Sequence, residues 1–327
     1  MHPHPGTARL ERANATVVAG GESGEPAAES ISPAAARKPL PPLATGLYLV
    51  ATPIGNAADI TLRALHVLTE ADIVACEDTR VTRKLFAIHG IGHDRGSPQR
   101  FVACHDHNEA DTSRRLVAAI VDGARVALVS DAGTPLVSDP GYRLVRAAIE
   151  AGVPIIPIPG PSAVLAALAV SGLSSDRFFF AGFLPAKAAA RRRAIQDLKA
   201  MPATLVMLES PRRLAALLAD LALVLGHRDA VVARELTKLF EEVRRGTLAD
   251  LAATYQAMPE PKGEVTVVIA PPTASEAAEV DEAAIERMLT QALTDGSPRD
   301  AAIAVAAATG LPRRGLYARA LALAGRR

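Results

Sequence analysis

The stretch SDAGTPLVSDPG, from Ser130 to Gly141, directly follows the apolar segment Val126–Val129. A short apolar run that ends at turn-forming residues is typical of a buried strand followed by a loop. Glycine lets the backbone approach a ligand closely, and proline fixes the turn. The stretch therefore predicts a loop that offers backbone groups to a small polar ligand. Taken alone, such a loop is better interpreted as a tight connecting turn.

Three similar loops follow other predicted strands, and together they favour one binding site. These loops are Thr52–Asn56, Glu77–Arg80 and Pro159–Ser162. Their strands are predicted at Leu47–Ala51, Ile73–Cys76 and Val153–Ile156, with another at Phe101–Cys104; Asp59 is the predicted N-cap of the first helix. Strands that alternate with helices indicate a largely parallel sheet. Ligands bind beyond the carboxyl ends of such strands, where all these loops would lie.

Composition restricts the fold class and the cell compartment. Hydrophobic residues make up 49% of the 327 residues and aromatic residues only 3%, which predicts an aliphatic core of α/β type. The 36 basic and 35 acidic residues nearly balance, so any basic surface must be local. The two cysteines lack metal-ligand spacing. With no secretory signal and no long uncharged apolar run, we expect a cytoplasmic protein without a membrane span.

The chain divides into four predicted parts. Residues 1–45 are rich in Ala, Pro, Gly, Glu and Ser and predict a disordered extension. Residues 46–158 and 159–272 predict two α/β domains. Strands of the second domain are expected near Arg177–Ala181, Ala203–Leu208, Ala230–Arg234 and Glu264–Ala270. Residues 280–327 have a helical pattern interrupted by two turns, which suits a small helix-turn-helix-like module.

Several motifs in order resemble the ribosomal RNA small subunit methyltransferase I family. They include Ala51–Asn56, Glu77–Arg80, His105–Glu109, Ser130–Gly141 and Arg234–Lys238. The resemblance implies a two-domain tetrapyrrole-methylase-like fold with the cofactor cleft between the domains. It also implies that S-adenosylmethionine donates a methyl group to the ribose 2′-oxygen of a cytidine in the decoding centre of 16S rRNA. The implied partners are 16S rRNA or the 30S subunit and a second copy of the chain.

The resemblance also implies which residues contact the cofactor. Carried over position by position, these are Pro53, Asp131, Ala132, Gly133, Leu136, Ser162, Ala163 and Leu208. The wider fold usually has Gly-Asp-Pro where this chain has Asp131-Ala132-Gly133-Thr134-Pro135.

Methyl transfer to a hydroxyl requires alignment of oxygen, carbon and sulfur, and a base or cation near the oxygen. The donor is already activated, so no metal is required. Asp78, Glu235 and Lys238 are the catalytic candidates because they are polar and close to predicted strand ends. The alternatives are that Asp78 caps a helix and that Glu235 and Lys238 form a surface ion pair.

RNA binding requires local positive charge or polar groups near the cleft. The predicted RNA-binding residues are Arg80, His105, His107, Lys187, Arg191, Arg192, Arg193 and Arg212. A solvated helix face is the alternative for each arginine cluster. His105 and His107 have the spacing of zinc ligands, but a polar substrate-facing role or a turn role is the preferred interpretation.

Three other functions compete with the rRNA methyltransferase hypothesis. One is a methylase of the same fold that acts on a tetrapyrrole. Another is a non-catalytic ribosome-assembly factor that binds RNA. The third, a nucleotide-dependent enzyme, lacks both the GxGxxG fingerprint and the P-loop lysine.

Overall fold

The computed structural model describes residues 40–92, 99–105, 108–309 and 311–325, with side chains at all of these positions except 274–281 and 295. Its first sheet contains five parallel strands in the order β3-β2-β4-β1-β5. The strands are β1 Gly46–Val50, β2 Ile73–Cys76, β3 Arg100–Ala103, β4 Arg125–Val129 and β5 Ile155–Ile158. The helices between them are α1 Leu62–Glu70, α2 Thr79–Ile88, α3 Glu109–Val121 and α4 Tyr142–Glu150. Helices cover both faces, so β2 is buried along its whole length.

Two predicted boundaries in this region are wrong, each for a local reason. Thr61, not Asp59, caps α1, because its Oγ1 accepts a hydrogen bond from Ala64 N at 3.1 Å. The last strand starts at Ile155 rather than Val153. Gly152 is left-handed at φ 68° and Val153 N donates to Ala148 O at 2.9 Å, so both residues still belong to the end of α4.

The second sheet is mixed, with the order β6-β7-β10-β8-β9. Its strands are β6 Phe178–Phe183, β7 Thr204–Glu209, β8 Asp229–Arg234, β9 Glu242–Thr247 and β10 Val265–Ile269. Its helices are α5 Ala163–Ser171, α6 Ala188–Leu198, α7 Pro211–Leu225 and α8 Leu248–Ala257. Only β6 and β7 are parallel. The sequence did not predict β9, because this edge strand reads EVRRGT and lacks an apolar run.

Three helices follow the second sheet: α9 Ala274–Asp295, α10 Pro298–Thr309 and α11 Arg313–Ala324. They break at the two turns that the sequence predicts. Leu289, Val305, Leu316 and Ala320 form a small apolar core of their own among these helices. The predicted α/β architecture with a C-terminal helical part is thus confirmed. No helix in the described ranges combines the length and the apolar character that crossing a membrane requires.

Arg191 does not belong to an RNA-binding surface, and this part of the prediction is wrong. Its side chain is only 6% exposed, and its Nη2 lies 2.6 Å from Oδ2 of the equally buried Asp220. Arg191 Nη1 also donates to Ala186 O at 3.0 Å. The guanidinium therefore joins α6 to α7 within the core and cannot reach a phosphate. Arg192 shares Asp220, with Nε 2.6 Å from Oδ1, but stays half-exposed.

We expect Asp220→Asn to lower the free energy of unfolding by about 3–5 kcal/mol at pH 7, because it leaves the buried Arg191 charge uncompensated. Burial raises the pKa of Asp220, but hydrogen bonds from Arg192 and Arg191 outweigh it, so its pKa lies below the ordinary value. The pair's stabilisation is therefore complete above about pH 4 and fades as the pH falls further.

Urea titrations at pH 7 and pH 3 measure this loss, with Asp197→Asn on the exposed face of α6 as the matched control. The difference in the free energy of unfolding between Asp220→Asn and the unmodified protein should be smaller at pH 3 than at pH 7. An equal loss in both variants at pH 7 would contradict the structural role of Asp220.

Candidate functional site

The loops after the parallel strands are connected to one another by direct hydrogen bonds. Thr52 N donates to Gly133 O at 2.9 Å, and Gly133 N donates to Thr52 O at 3.0 Å. Thr134 Oγ1 donates to Pro161 O at 3.1 Å. Asp78 N donates to Asp131 Oδ1 at 3.0 Å. The four loops singled out in the sequence therefore form one connected edge.

The Ser130–Gly141 loop adopts a backbone that glycine and local contacts make possible. Gly133 lies at φ 80°, and two non-glycine residues, Leu136 at φ 76° and Ser138 at φ 67°, are also left-handed. Such conformations persist only where surrounding contacts hold them, and they cluster at functional sites.

Glu109 anchors the end of this loop. Its side chain is only 7% exposed, and its Oε1 accepts hydrogen bonds from Gly141 N at 3.0 Å and Arg143 N at 2.7 Å. The carboxylate thus satisfies backbone donors at the start of α4 and favourably meets the positive end of the helix. The loop is consequently held at both ends, by β4 before it and by Glu109 after it.

A cavity of about 460 Å³, the first cavity, opens between these loops and the second sheet. Loops and strand ends of both sheets line it: Ile54, Glu77, Asp131, Ala132, Gly133, Thr134, Val137, Ser138, Asp139, Ser162, Ala163, Val164, Phe183, Leu208, Glu209, Ser210, Pro211, Gly263, Glu264, Val265 and Thr266. Five of these residues are carboxylates, and among the described lining residues there is no Lys, Arg or His. The cavity therefore favours a ligand with positive charge over a phosphate.

Burial changes the titration of two of these carboxylates. Burial raises the pKa of Asp131, which also accepts the hydrogen bond from Asp78 N. It likewise raises the pKa of Asp139. Partly desolvated carboxylates of this kind gain from a cationic neighbour.

A second cavity of about 410 Å³ lies beside the first. Its lining comprises Thr52, Pro53, Ile54, Gly55, Ala57, Val81, Thr82, Lys84, Leu85, Ile88, Ser130, Asp131, Ala132, Lys238 and Glu264. The two cavities share Ile54, Asp131, Ala132 and Glu264. The shared wall makes Asp131 and Glu264 the titratable residues that border both spaces.

Most residues predicted to bind the cofactor lie around the first cavity. Asp131, Ala132 and Gly133 line it from the first sheet, and Ser162, Ala163 and Leu208 line it from the other side. Pro53 lines only the second cavity. Leu136 lines neither; its Cδ2 lies 3.1 Å from where a Cβ on Gly141 would stand, so its side chain packs on the loop itself.

Asp78 is occupied by its own helix and lines neither cavity. Its Oδ1 accepts from Arg80 N at 2.8 Å, which caps α2, and its Oδ2 pairs with Arg80 Nη2 at 2.6 Å. The hydrogen bonds from Arg80 lower the pKa of Asp78 to about 2. This geometry matches the capping alternative, and it leaves Asp78 poorly placed to take a proton.

Lys238 is the catalytic candidate that reaches a cavity. Its Nζ lies 2.8 Å from Glu235 Oε1 and 3.1 Å from Glu264 Oε2, at the edge of the second cavity. Burial lowers the pKa of Lys238, but these hydrogen bonds outweigh it and the pKa is raised, so the group stays an ammonium. Glu235 lines neither cavity, and Lys238 lowers its pKa.

The segment around Lys238 crosses from the second sheet to the first. Glu235 at φ 51° and Thr237 at φ 67° are left-handed, and Asn56 N donates to Thr237 Oγ1 at 3.1 Å. At Gly55 a Cβ would lie only 2.4 Å from Lys238 Cγ, so glycine is required for this close approach.

The remaining predicted RNA-binding residues lie on several different elements. Lys187 and Arg193 are exposed near the start of α6, whereas Arg212 pairs with Glu260 at 3.5 Å on α7. Arg80 is 88% exposed. His105 is half-buried, and its backbone N donates to Asn108 Oδ1 at 2.9 Å; His107 lies outside the described residues. Among the described residues, no three His, Cys, Asp or Glu side chains converge as metal ligands.

Sequence reasoning missed several residues that line the cavities. Asp139, Glu209 and Thr266 belong to the first cavity, and Lys84 belongs to the second. Asp139 lies within the Ser130–Gly141 stretch, so its position in a predicted ligand-binding loop could have identified it from the sequence. Glu209 had none, because only the structure places the end of β7 against the cavity.

Comparison with known proteins identifies relatives of the chain. A sequence model of the family described as Tetrapyrrole (Corrin/Porphyrin) Methylases matches residues 46–252, and one described as RsmI C-terminal HTH domain matches residues 279–324. A ribosomal RNA small subunit methyltransferase I from Mesorhizobium japonicum is 52% identical over 87% of this chain and 94% of its own length. The protein of that name from Pseudomonas aeruginosa is 44% identical over 86% of this chain and 98% of its own length. A crystal structure of diphthine synthase shares the fold, with a TM-score of 0.52 and 20% identity over 71% of this chain and 93% of its own.

We expect Glu109→Ala to release the Ser130–Gly141 loop, because Gly141 N and Arg143 N lose their acceptor. The predicted result is a loss of about 1–3 kcal/mol in stability and weaker ligand binding in the first cavity. Glu109→Gln keeps an acceptor oxygen and should restore most of both. Thermal unfolding and calorimetric titration with S-adenosylmethionine measure the two effects.

Glu150→Ala removes an exposed carboxylate from the other end of α4 and serves as the control. Unchanged ligand binding in Glu109→Ala would show that the loop holds its shape without this anchor.

Proposed function

Because the chain belongs to the tetrapyrrole methylase family and, within it, to the ribosomal RNA small subunit methyltransferase I family, we propose that it methylates the ribose 2′-oxygen of a cytidine in the decoding centre of 16S rRNA. The broader statement needs no proposal: the chain is an S-adenosylmethionine-dependent methyltransferase that acts on ribosomal RNA. The proposal concerns the nucleotide, the atom and the residues involved.

The acidic first cavity is the observation that supports the cofactor site most strongly. S-adenosylmethionine carries a sulfonium, an ammonium and one carboxylate, so its net charge is positive. Glu209 and Glu264 are paired with Arg213 and Lys238, but the carboxylates of Asp131 and Asp139 suit that charge. Val137, Phe183 and Leu208 supply an apolar wall for a purine ring. The N-terminus of α5, capped by Ser162, borders the cavity and can offset the ligand's carboxylate.

Bound S-adenosylmethionine supplies a methyl group whose C–S bond breaks as the O–C bond to the hydroxyl forms, and the sulfur keeps the electron pair. The protein's part is to align the two reactants across the wall between the cavities. Asp131 stands on that wall and is placed to accept the hydroxyl proton, while the Lys238 ammonium stabilises charge that develops on the oxygen.

The roles proposed for the other catalytic candidates follow from their contacts. Glu235 holds Lys238 and also accepts from Glu264 N at 3.0 Å, so it acts as a positioning residue. Asp78 caps α2 and donates its backbone N–H to Asp131, so it positions the shared wall. Neither side chain is proposed to touch the substrate.

The alternatives fit the charges of the site less well. A nucleotide phosphate in the first cavity would lie beside five carboxylates, and the described lining residues include no basic side chain to neutralise it. A tetrapyrrole with several carboxylate side chains would meet the same repulsion. A non-catalytic RNA-binding factor would have no use for a cavity that suits a cation.

The proposal extends to partners, location and domain limits. Exposed Phe178 and Phe179 on the edge strand β6 support a homodimer. The 30S subunit is the proposed substrate particle and the cytoplasm the proposed location, supported by free buried thiols at Cys76 and Cys104. The division into 46–158, 159–272 and 280–327 is proposed from the two sheets and the final helices. Most of the predicted extension 1–45, residues 1–39, lies outside the described residues.

The protein should methylate 30S subunits from a strain that lacks this enzyme, using labelled S-adenosylmethionine. Nuclease digestion and mass spectrometry should then yield 2′-O-methylcytidine from the decoding centre. Lys238→Ala should lower the single-turnover rate by about 100-fold, a magnitude typical of losing one stabilising group, with the cofactor Kd nearly unchanged. Lys262→Ala, at an exposed lysine, is the matched control. Label found on a base, or outside the decoding centre, would overturn the proposal.

A further inference from the structure

We propose that the second cavity binds the target nucleoside after it leaves the RNA stack, and that helix α2 carries the flanking phosphates. This inference rests on the proposed methylation of RNA, which it deepens by naming the acceptor site. The motifs imply a cofactor contact for one of its lining residues, Pro53, and assign no ligand to the cavity itself. Its residues come from the loops after β1 and β4, from α2, and from the segment that holds Lys238.

The position of the second cavity is what an acceptor site requires. It shares Ile54, Asp131, Ala132 and Glu264 with the acidic first cavity, so ligands in the two cavities would meet at a common wall. Direct displacement requires the reacting atoms to lie about 3–3.5 Å apart. A cavity without a shared wall would not allow that approach.

Helix α2 gives the second cavity an apolar side. Val81, Leu85 and Ile88 line the cavity and recur at the spacing of one helix face. Val81 is 40% exposed and Ile88 is 55% exposed, so both present apolar surface to the cavity. The flat face of a nucleobase is the part of RNA that would cover them, as RNA-binding proteins commonly pack bases against apolar or aromatic side chains.

The same helix carries the charge that RNA requires. Arg80, Arg83 and Lys84 lie in its first two turns; Arg80 pairs with the N-cap residue Asp78 and Arg83 packs over the Phe101 ring, so Lys84 is the α2 cation that faces the cavity. Lys84 lines the cavity and makes no ion pair with any described residue. The first cavity is thus acidic, whereas the α2 side of the second cavity carries a basic residue. This arrangement separates a positively charged methyl donor from a negatively charged RNA strand.

The size and walls of the cavity favour a single extruded nucleoside over a duplex. At about 410 Å³ it accommodates a group of that size, and loops from both sheets bound it. Enzymes that act on one nucleotide bring it out of the stack into a pocket of this kind. The sugar would face the shared wall and the base would face α2.

Val81→Trp and Ile88→Trp test the proposal by filling the cavity from exposed positions of α2. Val121→Trp on α3 and Ile149→Trp on α4 are matched controls, since both residues are exposed, apolar and outside the two cavities. The measurements are the cofactor Kd by calorimetry, and the KM and single-turnover rate with unmethylated 30S subunits. Thermal unfolding checks that all four variants fold.

The cavity-filling variants should keep a cofactor Kd within about twofold of the unmodified protein, because their positions lie outside the first cavity. Their rate or KM with 30S subunits should worsen by about tenfold or more, as expected for a misplaced substrate. Both controls should behave like the unmodified protein. Normal methylation by both cavity-filling variants would overturn the inference. If the proposed function itself were wrong, the unmodified protein would fail to yield 2′-O-methylcytidine.

Lys84→Ala gives a second measurement that does not depend on cavity shape. Removing one phosphate contact should reduce the slope of log Kd for 30S subunits against log salt concentration by about 1. Lys262→Ala should leave the slope unchanged. If Lys84→Ala and Lys262→Ala had the same slope, the result would contradict a role for α2 in binding RNA.

Discussion

Two backbone hydrogen bonds between Thr52 and Gly133 are the constraint on which the rest of the site depends. They join the loop after β1 to the loop after β4, and the buried Thr52 adds a third bond from its Oγ1 to Ser130 O at 3.2 Å. Because these groups satisfy one another, Asp131 and Ala132 are fixed as a thin wall with a cavity on each side. The position of Asp78, bound to Asp131 through its backbone, depends on the same wall.

The charge of the molecule is separated at this wall, which explains why its overall charge of +1 carries so little information. Carboxylates line the first cavity, whereas Lys84 of α2 lines the second. A methyltransferase that brings a cationic donor to a polyanionic acceptor needs a region of negative potential and a region of positive potential close together. Lys238 lies between them and is held by Glu235 and Glu264, so its charge is fixed in place.

The sequence predicted the strand-end loops well, because glycine and proline mark the turns and the apolar runs before them are short. It failed where a long-range partner decides the role of a residue. Arg191 has the sequence context of a basic cluster, yet it forms a buried ion pair with Asp220 on the next helix. Likewise, nothing in the pattern distinguishes Lys238, which reaches a cavity, from Glu235, which does not. Edge strand β9 was missed because its residues are polar and its pairing with β8 is visible only in the fold.

The close approach at Gly55 has a consequence for how this enzyme can change over evolutionary time. A single methyl group there would stand 2.4 Å from Lys238 Cγ and 2.9 Å from Thr237 Oγ1, so it would act as a wedge between the two sheets. Positions 55 and 238 are therefore not free to vary independently. A lineage that acquires a side chain at 55 must shorten residue 238 or move the segment that carries it. Either route alters the ammonium beside the acceptor, so a substitution at this glycine would be inherited as a change in chemistry.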